Sequence, residues 1–112
     1  MNLTDLEPQF LKVESPTSYR YVAAVAEADG ITLLCPTCFQ KNNGPVGTHS
    51  LMLWQPRVPQ DITPGPGRWV FLGTGYGDLT LDNTSIGQTS SILVNGGCNT
   101  HFHIRNGAVE FC

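Results

Sequence analysis

Four metal-binding side chains stand in two short pairs, and this spacing constrains the fold more than any other feature of the sequence. Cys35 and Cys38 are separated by two residues. Cys98 and His101 repeat that spacing sixty positions after Cys38. Each pair directs two side chains at one point, and thiolate and imidazole are the ligands that zinc prefers. The sequence therefore predicts a tetrahedral Zn²⁺ site that holds together two halves of a small domain, with structural zinc contributing on the order of 10 kcal/mol to folding.

The end of the sequence has the pattern of a β-hairpin. Asn106-Gly107 lies between two alternating apolar and polar runs, which predicts a two-residue type I′ turn. Because side chains alternate between the faces of a strand, this hairpin has one apolar and one polar face. The apolar face would carry Phe102, Ile104, Val109 and Phe111. The polar face would carry His101, His103, Arg105, Glu110 and Cys112, with His101 opposite Cys112 and His103 opposite Glu110.

Composition limits the class of fold and partner. A chain of 112 residues is one domain, and its 12 glycines and 8 prolines disfavour long helices. A hydrophobic content of 40% is enough to form a core, which disfavours disorder. With a net charge of −3, the chain lacks the excess of basic residues that is typical of a nucleic-acid binder. No segment reaches the roughly 20 apolar residues that span a bilayer, so we expect neither nucleic acid nor membrane as a partner.

The pattern along the chain predicts a mainly β, small α+β fold: a single zinc-stapled antiparallel β domain with a short N-terminal helical segment. Residues 1–29 form an N-terminal segment with a helix over 19–28, and residues 30–112 form the zinc-binding β domain, in one folding unit overall. Residues 56–67, rich in proline and glycine, form a long surface loop. Strands are predicted over 31–34, 49–54, 69–72, 78–81, 90–94, 101–105 and 108–111.

The fourth metal ligand is the least constrained part of the predicted site. His101 fits the pair spacing, but the hairpin places Cys112 beside it, which allows a Cys₄ site with Cys112 in place of His101. His103, two residues along the same face, and His49, at the start of the strand predicted over 49–54, are further candidates. Four Cys or His ligands would make a closed, structural site. With water in one position the metal would be catalytic, and His103 and Glu110 would serve as the acid–base pair of a hydrolase. An ordinary cross-strand contact between His103 and Glu110 is the simpler interpretation.

The first cysteine pair also allows a redox interpretation, because a strand followed by Cys-Pro-Thr-Cys resembles the thioredoxin-type motif. Residues 39–45 are too rich in asparagine, glycine and proline to extend a helix beyond one turn, and a βαβ context is absent. Residues 1–6 lack the basic and apolar regions of a signal peptide. We therefore expect a cytoplasmic protein, in which cysteines are more often metal ligands than disulfides.

Several motifs together resemble a family of short proteins encoded by tailed phages and prophages. They are Gly30-Ile31 with Leu34-Cys35-Pro36-x-Cys38, Gly47-Thr48-His49-Ser50, Gly65-Pro66-Gly67-Arg68-Trp69, Asp78-Leu79-Thr80-Leu81 with Ser85-Ile86, and Gly97-Cys98-x-x-His101-Phe102-x-Ile104-x-Asn106-Gly107-x-Val109. The resemblance covers 30–112. Relatives tend to have Leu-Thr-Leu-x-Pro-Ser-Ile, where this chain is one residue longer and lacks the proline. The resemblance implies a phage or prophage origin and zinc at Cys35, Cys38, Cys98 and His101, but no activity.

The paired-ligand, β-rich plan is also similar to the zinc-containing β-tent proteins, such as the cereblon ligand-binding domain, although such fold-level analogy carries no function. Three functions follow as hypotheses. The first is a non-enzymatic module with structural zinc that binds a protein or small ligand in the host cytoplasm. The second is the zinc hydrolase. The third is a virion or assembly component, for which the chain would form a homo-oligomer.

Overall fold

The computed structural model describes residues 1–59, 68–82, 91–94 and 98–112, and in these residues strands predominate. The strands are β1 Gln9–Ser15, β2 Ser18–Val22, β3 Gly30–Leu34, β4 Ser50–Trp54, β5 Val70–Leu72, β6 Thr80–Asp82, β7 Ile92–Val94, β8 Thr100–Arg105 and β9 Ala108–Phe111. The helical elements are the 3₁₀ turns Leu3–Leu6 and Val25–Glu27 and the α-helix α1 Pro36–Asn42. Within the described ranges no helix is long and apolar enough to cross a membrane.

The described strands form three antiparallel sheets, which confirms the mainly β prediction. The first sheet has the order β2-β1-β3-β4, the second pairs β5 with β6, and the third has the order β7-β8-β9. All three sheets contribute side chains to one apolar core, to which alternate residues of their strands point. Core side chains that are at least nine-tenths buried include Phe10, Ile31, Leu33, Leu53, Phe71, Leu81, Ile92, Phe102 and Ile104.

A smaller apolar cluster lies on the opposite face of the four-stranded sheet. It consists of Leu11, Trp54 and Val58, with Val13 and Met52 packed against it. The indole of Trp54 lies against the backbone of Gly30, where an added Cβ would come within 2.2 Å of Trp54 Cε3. Tyr19 contacts the same indole edge-on, with ring centroids 5.9 Å apart. Trp54 and Trp69 are both buried, so both tryptophans serve packing.

The helix predicted over 19–28 is wrong. Ser18–Val22 is strand β2, which pairs with β1 through Leu11↔Tyr21 and Val13↔Tyr19, and only Val25–Glu27 is helical, as a 3₁₀ turn. Tyrosine and valine favour strands, and the turn between β1 and β2 presents them directly to a partner strand. The alanines at 23, 24, 26 and 28 favour a helix, but helix propensity is a weak effect that tertiary contacts often override.

The N-terminal segment is built into the same sheets as the rest of the chain. Strand β1 pairs with β3 through Phe10↔Ile31 and Leu11↔Gly30. The first residues also reach the third sheet, where the Leu3 N–H donates to the Gly107 carbonyl at 2.8 Å. The chain therefore closes its N-terminal end against the C-terminal hairpin.

Most predicted strands are found within two residues of their expected limits. These are the predictions for 31–34, 49–54, 69–72, 78–81, 101–105 and 108–111, which correspond to β3, β4, β5, β6, β8 and β9. The strand predicted over 90–94 appears as Ile92–Val94, and its first residue lies outside the described residues. Residues 60–67 of the predicted long loop also lie outside them, as do residues 65–67, 85–86 and 97 of the family motifs.

The C-terminal hairpin has the predicted register. Its cross-strand pairs are Phe102↔Phe111, His103↔Glu110, Ile104↔Val109 and Arg105↔Ala108. Asn106 and Gly107 have φ angles of 49° and 74°, and positive values at both central residues define a type I′ turn. The turn and the period-two alternation are local rules, so they hold wherever the rest of the chain lies.

Candidate metal centre

Three cysteines and one histidine from three separate parts of the chain meet at one point. Cys35 directly follows β3, Cys38 lies in the first turn of α1, His49 directly precedes β4, and Cys98 precedes β8 by two residues. The thiol sulfurs and a ring nitrogen of the histidine all lie within 4.8 Å of one another. We refer to these four residues as the Cys₃His cluster. A search of the described residues for side chains that could together hold a metal ion finds this cluster.

Local structure explains how the first three members come together. Pro36 occupies the first position of α1, where its missing N–H costs nothing. The helical turn then brings Cys38 to the same side as Cys35, since positions three apart are neighbours on a helix. The β3–β4 pairing continues past Leu34↔Ser50, with the Cys35 N–H donating to the His49 carbonyl at 2.8 Å. This backbone bond sets His49 opposite Cys35.

A pair of threonines joins the helix to the strand that follows Cys98. The Thr37 hydroxyl donates to the Thr100 hydroxyl oxygen at 2.7 Å. Thr100 is buried, with 1% of its surface exposed. The start of β8 is therefore held against α1, which brings Cys98 to the cysteines of the helix.

The distances within the Cys₃His cluster suit a tetrahedral zinc ion. The Sγ atoms of Cys35 and Cys98 are 3.2 Å apart, and His49 Nε2 lies 3.3 Å from Cys98 Sγ. Zn–S bonds of about 2.3 Å in tetrahedral geometry place two sulfurs about 3.8 Å apart. The Cys35–Cys98 sulfur distance is about 0.6 Å shorter than this value, so these two sulfurs would have to move apart by that amount to bind the ion. The three sulfurs and one imidazole are also the donor set of known structural zinc sites.

No protein-family model, curated protein or solved structure matches the chain. The assignment of this site therefore stands on the geometry and donor chemistry of the cluster.

The structure does not bring His101 or Cys112, the two ligands proposed to complete the set, to the Cys₃His cluster. Because neighbouring side chains of a strand point to opposite faces, Thr100 turns inwards to Thr37 and His101 turns outwards to solvent. Cys112 is exposed as well, and its N–H donates to the His101 carbonyl at 3.1 Å. His49, which the sequence offered as another candidate, occupies the fourth position.

The hydrolase pair lies on the exposed face of the C-terminal hairpin. His103 and Glu110 are opposite each other in the register, yet neither belongs to the Cys₃His cluster. The Arg105 Nη1 group donates to Glu110 Oε1 at 3.2 Å, and Arg105 Nη2 lies 3.5 Å from His103 Nδ1. These contacts link surface side chains to one another, and both members of the Arg105–Glu110 pair remain more than half exposed.

The cysteines differ in how readily they lose a proton. Burial, together with contacts to the other two thiols, raises the pKa of the Cys35 thiol from 9.0 to about 11. The hydrogen bond with His49 outweighs partial burial at Cys98 and lowers the pKa of its thiol to about 7. Cys98 therefore loses its proton more readily than Cys35.

The strand direction around α1 and the pKa of Cys35 both argue against a thioredoxin-type function for the first cysteine pair. Helix α1 spans Pro36–Asn42, so only residues 39–42 continue it beyond the cysteine pair, about one turn, as predicted. The strands on either side of α1 are antiparallel neighbours, whereas a βαβ unit has parallel strands. A thioredoxin-type first cysteine also has a lowered thiol pKa, which is opposite to the raised pKa of Cys35.

Metal binding at neutral pH should release protons. The thiol of Cys35, with a pKa of about 11, must lose its proton to become a ligand, since only the thiolate binds the metal. We expect at least about one proton per metal ion at pH 7, and an apparent affinity that rises about tenfold per pH unit for each proton released. Calorimetric titrations with Zn²⁺ in buffers of different ionisation enthalpy measure both quantities. An affinity independent of pH between 6 and 8 would contradict thiolate ligation by Cys35.

Proposed function

We propose that this protein is a small zinc-stabilised β module that acts by binding a protein or small ligand, with Zn²⁺ held by Cys35, Cys38, His49 and Cys98. The observation that carries the proposal is the convergence of these four side chains, whose ligand atoms lie within 4.8 Å of one another. They come from parts of the chain up to 63 positions apart, so one ion would connect the first sheet to the third. Bound zinc would supply a cross-link between these sheets.

The complete ligand set supports a structural role over a catalytic one. Structural zinc sites have four protein ligands, whereas catalytic sites have three and keep one position for water or substrate. The Cys₃His cluster offers four. The residues that would act as an acid–base pair, His103 and Glu110, contact Arg105 on the exposed hairpin face, which also favours the module over the hydrolase.

Metal content of single variants tests the proposal. We expect the purified wild-type protein to hold one Zn²⁺ per chain. His49→Ala and Cys98→Ser should lose at least about tenfold in zinc affinity, because each removes a ligand from a closed set. Elemental analysis after gel filtration, with competition against a chromophoric chelator, measures occupancy and affinity.

Two matched variants act as controls for this measurement. His101→Ala and Cys112→Ser remove the same functional groups from positions outside the Cys₃His cluster, so both should retain wild-type zinc content. Loss of zinc from His101→Ala but not from His49→Ala would assign the fourth ligand to His101. A wild-type protein that binds no metal would refute the proposal.

A binding role and a phage or prophage origin are proposed on two further grounds. The family resemblance of residues 30–112 supports the origin. Exposed aromatic side chains support the binding role, since tyrosine is enriched at interfaces. Tyr19 and Tyr21 are 42% and 68% exposed on one face of β2, at the edge of the described four-stranded sheet.

The assembly-component hypothesis requires a stable oligomer, and a monomer in gel filtration would count against it.

A further inference from the structure

Two thiols of the Cys₃His cluster are in direct contact although they belong to distant parts of the chain. Cys35 Sγ and Cys98 Sγ lie 3.2 Å apart, across 63 positions of sequence. Both cysteines are free thiols. A disulfide has an S–S bond of about 2.05 Å, so closing it requires the two sulfurs to approach by about an ångström.

We propose that Cys35 and Cys98 are a disulfide-forming pair, which oxidants of the disulfide class link when the metal is absent. The proposal deepens the zinc function and rests on it in one respect, because metal ligation is what would keep the pair reduced.

The two thiols differ in solvent exposure, and the two steps of disulfide formation require one exposed and one adjacent thiol. Cys98 is partly exposed, while Cys35 is completely buried. A soluble oxidant therefore reaches Cys98 first. The buried thiol of Cys35, already in contact with Cys98 Sγ, is then placed to attack the modified sulfur.

With oxidised glutathione as the oxidant, the steps are two thiol–disulfide exchanges. The Cys98 thiolate attacks one sulfur of oxidised glutathione, a Cys98–glutathione bond forms, the glutathione S–S bond breaks, and one glutathione leaves as its thiolate. The Cys35 thiol then loses its proton and attacks Cys98 Sγ, which forms the Cys35–Cys98 bond and expels the second glutathione. The two cysteines lose two electrons, oxidised glutathione gains them, and the two thiol protons end on the two reduced glutathiones.

The disulfide would connect the same segments as the metal. A zinc ion held by the cluster joins the β3–α1 junction to the start of β8, and the Cys35–Cys98 bond joins the same two points. The fold would therefore keep one cross-link at this place in both redox states. Under reducing conditions the link would be coordination by zinc, and under oxidising conditions it would be a disulfide.

Peptide mapping tests which sulfurs are joined. The Cys112→Ser variant, which removes the exposed thiol, is stripped of metal, treated with oxidised glutathione, alkylated and digested with trypsin. Cleavage at lysine and arginine gives peptide 21–41 with Cys35 and Cys38, and peptide 69–105 with Cys98. We expect these two peptides to be linked, with a loss of two hydrogens and two free thiols per chain. Fragmentation of the linked peptide should place the bond on Cys35.

Cys38 provides the matched control. Cys38→Ser should keep the link between peptides 21–41 and 69–105, and Cys35→Ser should abolish it. The zinc-loaded protein should remain unlinked over the same interval. A bond within peptide 21–41, a stable glutathione adduct on Cys98, or an unchanged number of thiols would overturn the proposal, and the mapping of the Cys112→Ser protein decides this even where a cluster variant fails to fold.

Zinc analysis of the same preparations separates this proposal from the zinc function. Stoichiometric zinc without a Cys35–Cys98 bond in the metal-free protein would overturn the disulfide proposal alone. A Cys35–Cys98 bond in a protein that never binds zinc would refute the zinc function and support the disulfide.

Discussion

We expect removal of the proposed zinc ion from the reduced protein to lower its melting temperature by about 15 °C. A ligand that binds only the folded chain stabilises it by RT ln(1 + [L]/Kd), which is about 4 kcal/mol at a free concentration a thousand times Kd. A domain of about 100 residues changes its melting temperature by about 4 °C or more for each kcal/mol. The large effect has a structural cause, because Cys35, His49 and Cys98 belong to separate segments whose convergence the ion would fix.

Thermal unfolding followed by circular dichroism measures the effect, with and without a strong chelator and always with a reductant present. The reductant matters because a Cys35–Cys98 disulfide would replace the cross-link under test. Cys98→Ser should melt near the temperature of the chelated wild type and should not respond to the chelator. Cys112→Ser loses a thiol outside the cluster and should behave as the wild type. Equal melting temperatures for zinc-loaded and zinc-free protein would show that the site does not stabilise the fold.

The parts of the fold that follow local rules could be predicted from the sequence. The C-terminal hairpin is the clearest case, since Asn106-Gly107 determines the turn type and the alternation determines which side chains are buried. The observed register and the two positive φ angles agree with that prediction. The strand at 31–34 and the strand at 49–54 likewise carried enough apolar residues to be recognised individually.

The helix predicted over 19–28 shows where local rules stop. Its alanines and the Asp29-Gly30 stop favoured a helix. The competing structure was the β1–β2 hairpin, whose pairs Leu11↔Tyr21 and Val13↔Tyr19 depend on residues outside the predicted element. Asp29 also has a tertiary role, because its carboxylate accepts the Val13 N–H at 2.8 Å and thereby fastens β1 to the start of β3.

The fourth member of the Cys₃His cluster depended on the same kind of long-range information. Spacing alone favours His101, because two residues separate it from Cys98. The side chain at 101 points away because Thr100 turns inwards to Thr37. His49 is recognisable only when β3 and β4 are paired with Leu34 opposite Ser50, since that register places the next residues, Cys35 and His49, side by side. The pairing of two consecutive predicted strands was the pattern that would have identified His49 as a member of the cluster.

We expect replacement of Gly107 with alanine to cost about 3 kcal/mol or more of unfolding free energy. The residue has a φ of +74°, and an added Cβ would lie 2.2 Å from the Gly77 carbonyl oxygen. A left-handed conformation costs a non-glycine residue about 1 kcal/mol or more, and overpacking costs a further 1–3 kcal/mol, roughly. The contact is with backbone, which cannot rotate away. The backbone of Gly107 also donates to Leu79 and accepts from Leu3, so a shift of the turn would break both bonds.

Gly77→Ala is the matched control, because a Cβ at Gly77 meets nothing within 4 Å. Urea unfolding of both variants, with zinc in excess, gives the two free energies. We expect Gly77→Ala to stay within about 1 kcal/mol of the wild type, as surface substitutions generally do. Equal losses in the two variants would mean that the turn does not pack against Gly77.

Zinc content separates the effects at the two ends of β8. The strand begins two residues after Cys98 and ends at the Asn106-Gly107 turn, so one end would be fixed by metal ligation and the other is fixed by close backbone packing. Gly107→Ala should therefore bind one zinc ion at low temperature while melting early, because it leaves every member of the Cys₃His cluster in place. Cys98→Ser should lose the ion itself. Loss of zinc from folded Gly107→Ala would instead show that the packing of the turn determines the geometry of the metal centre through β8.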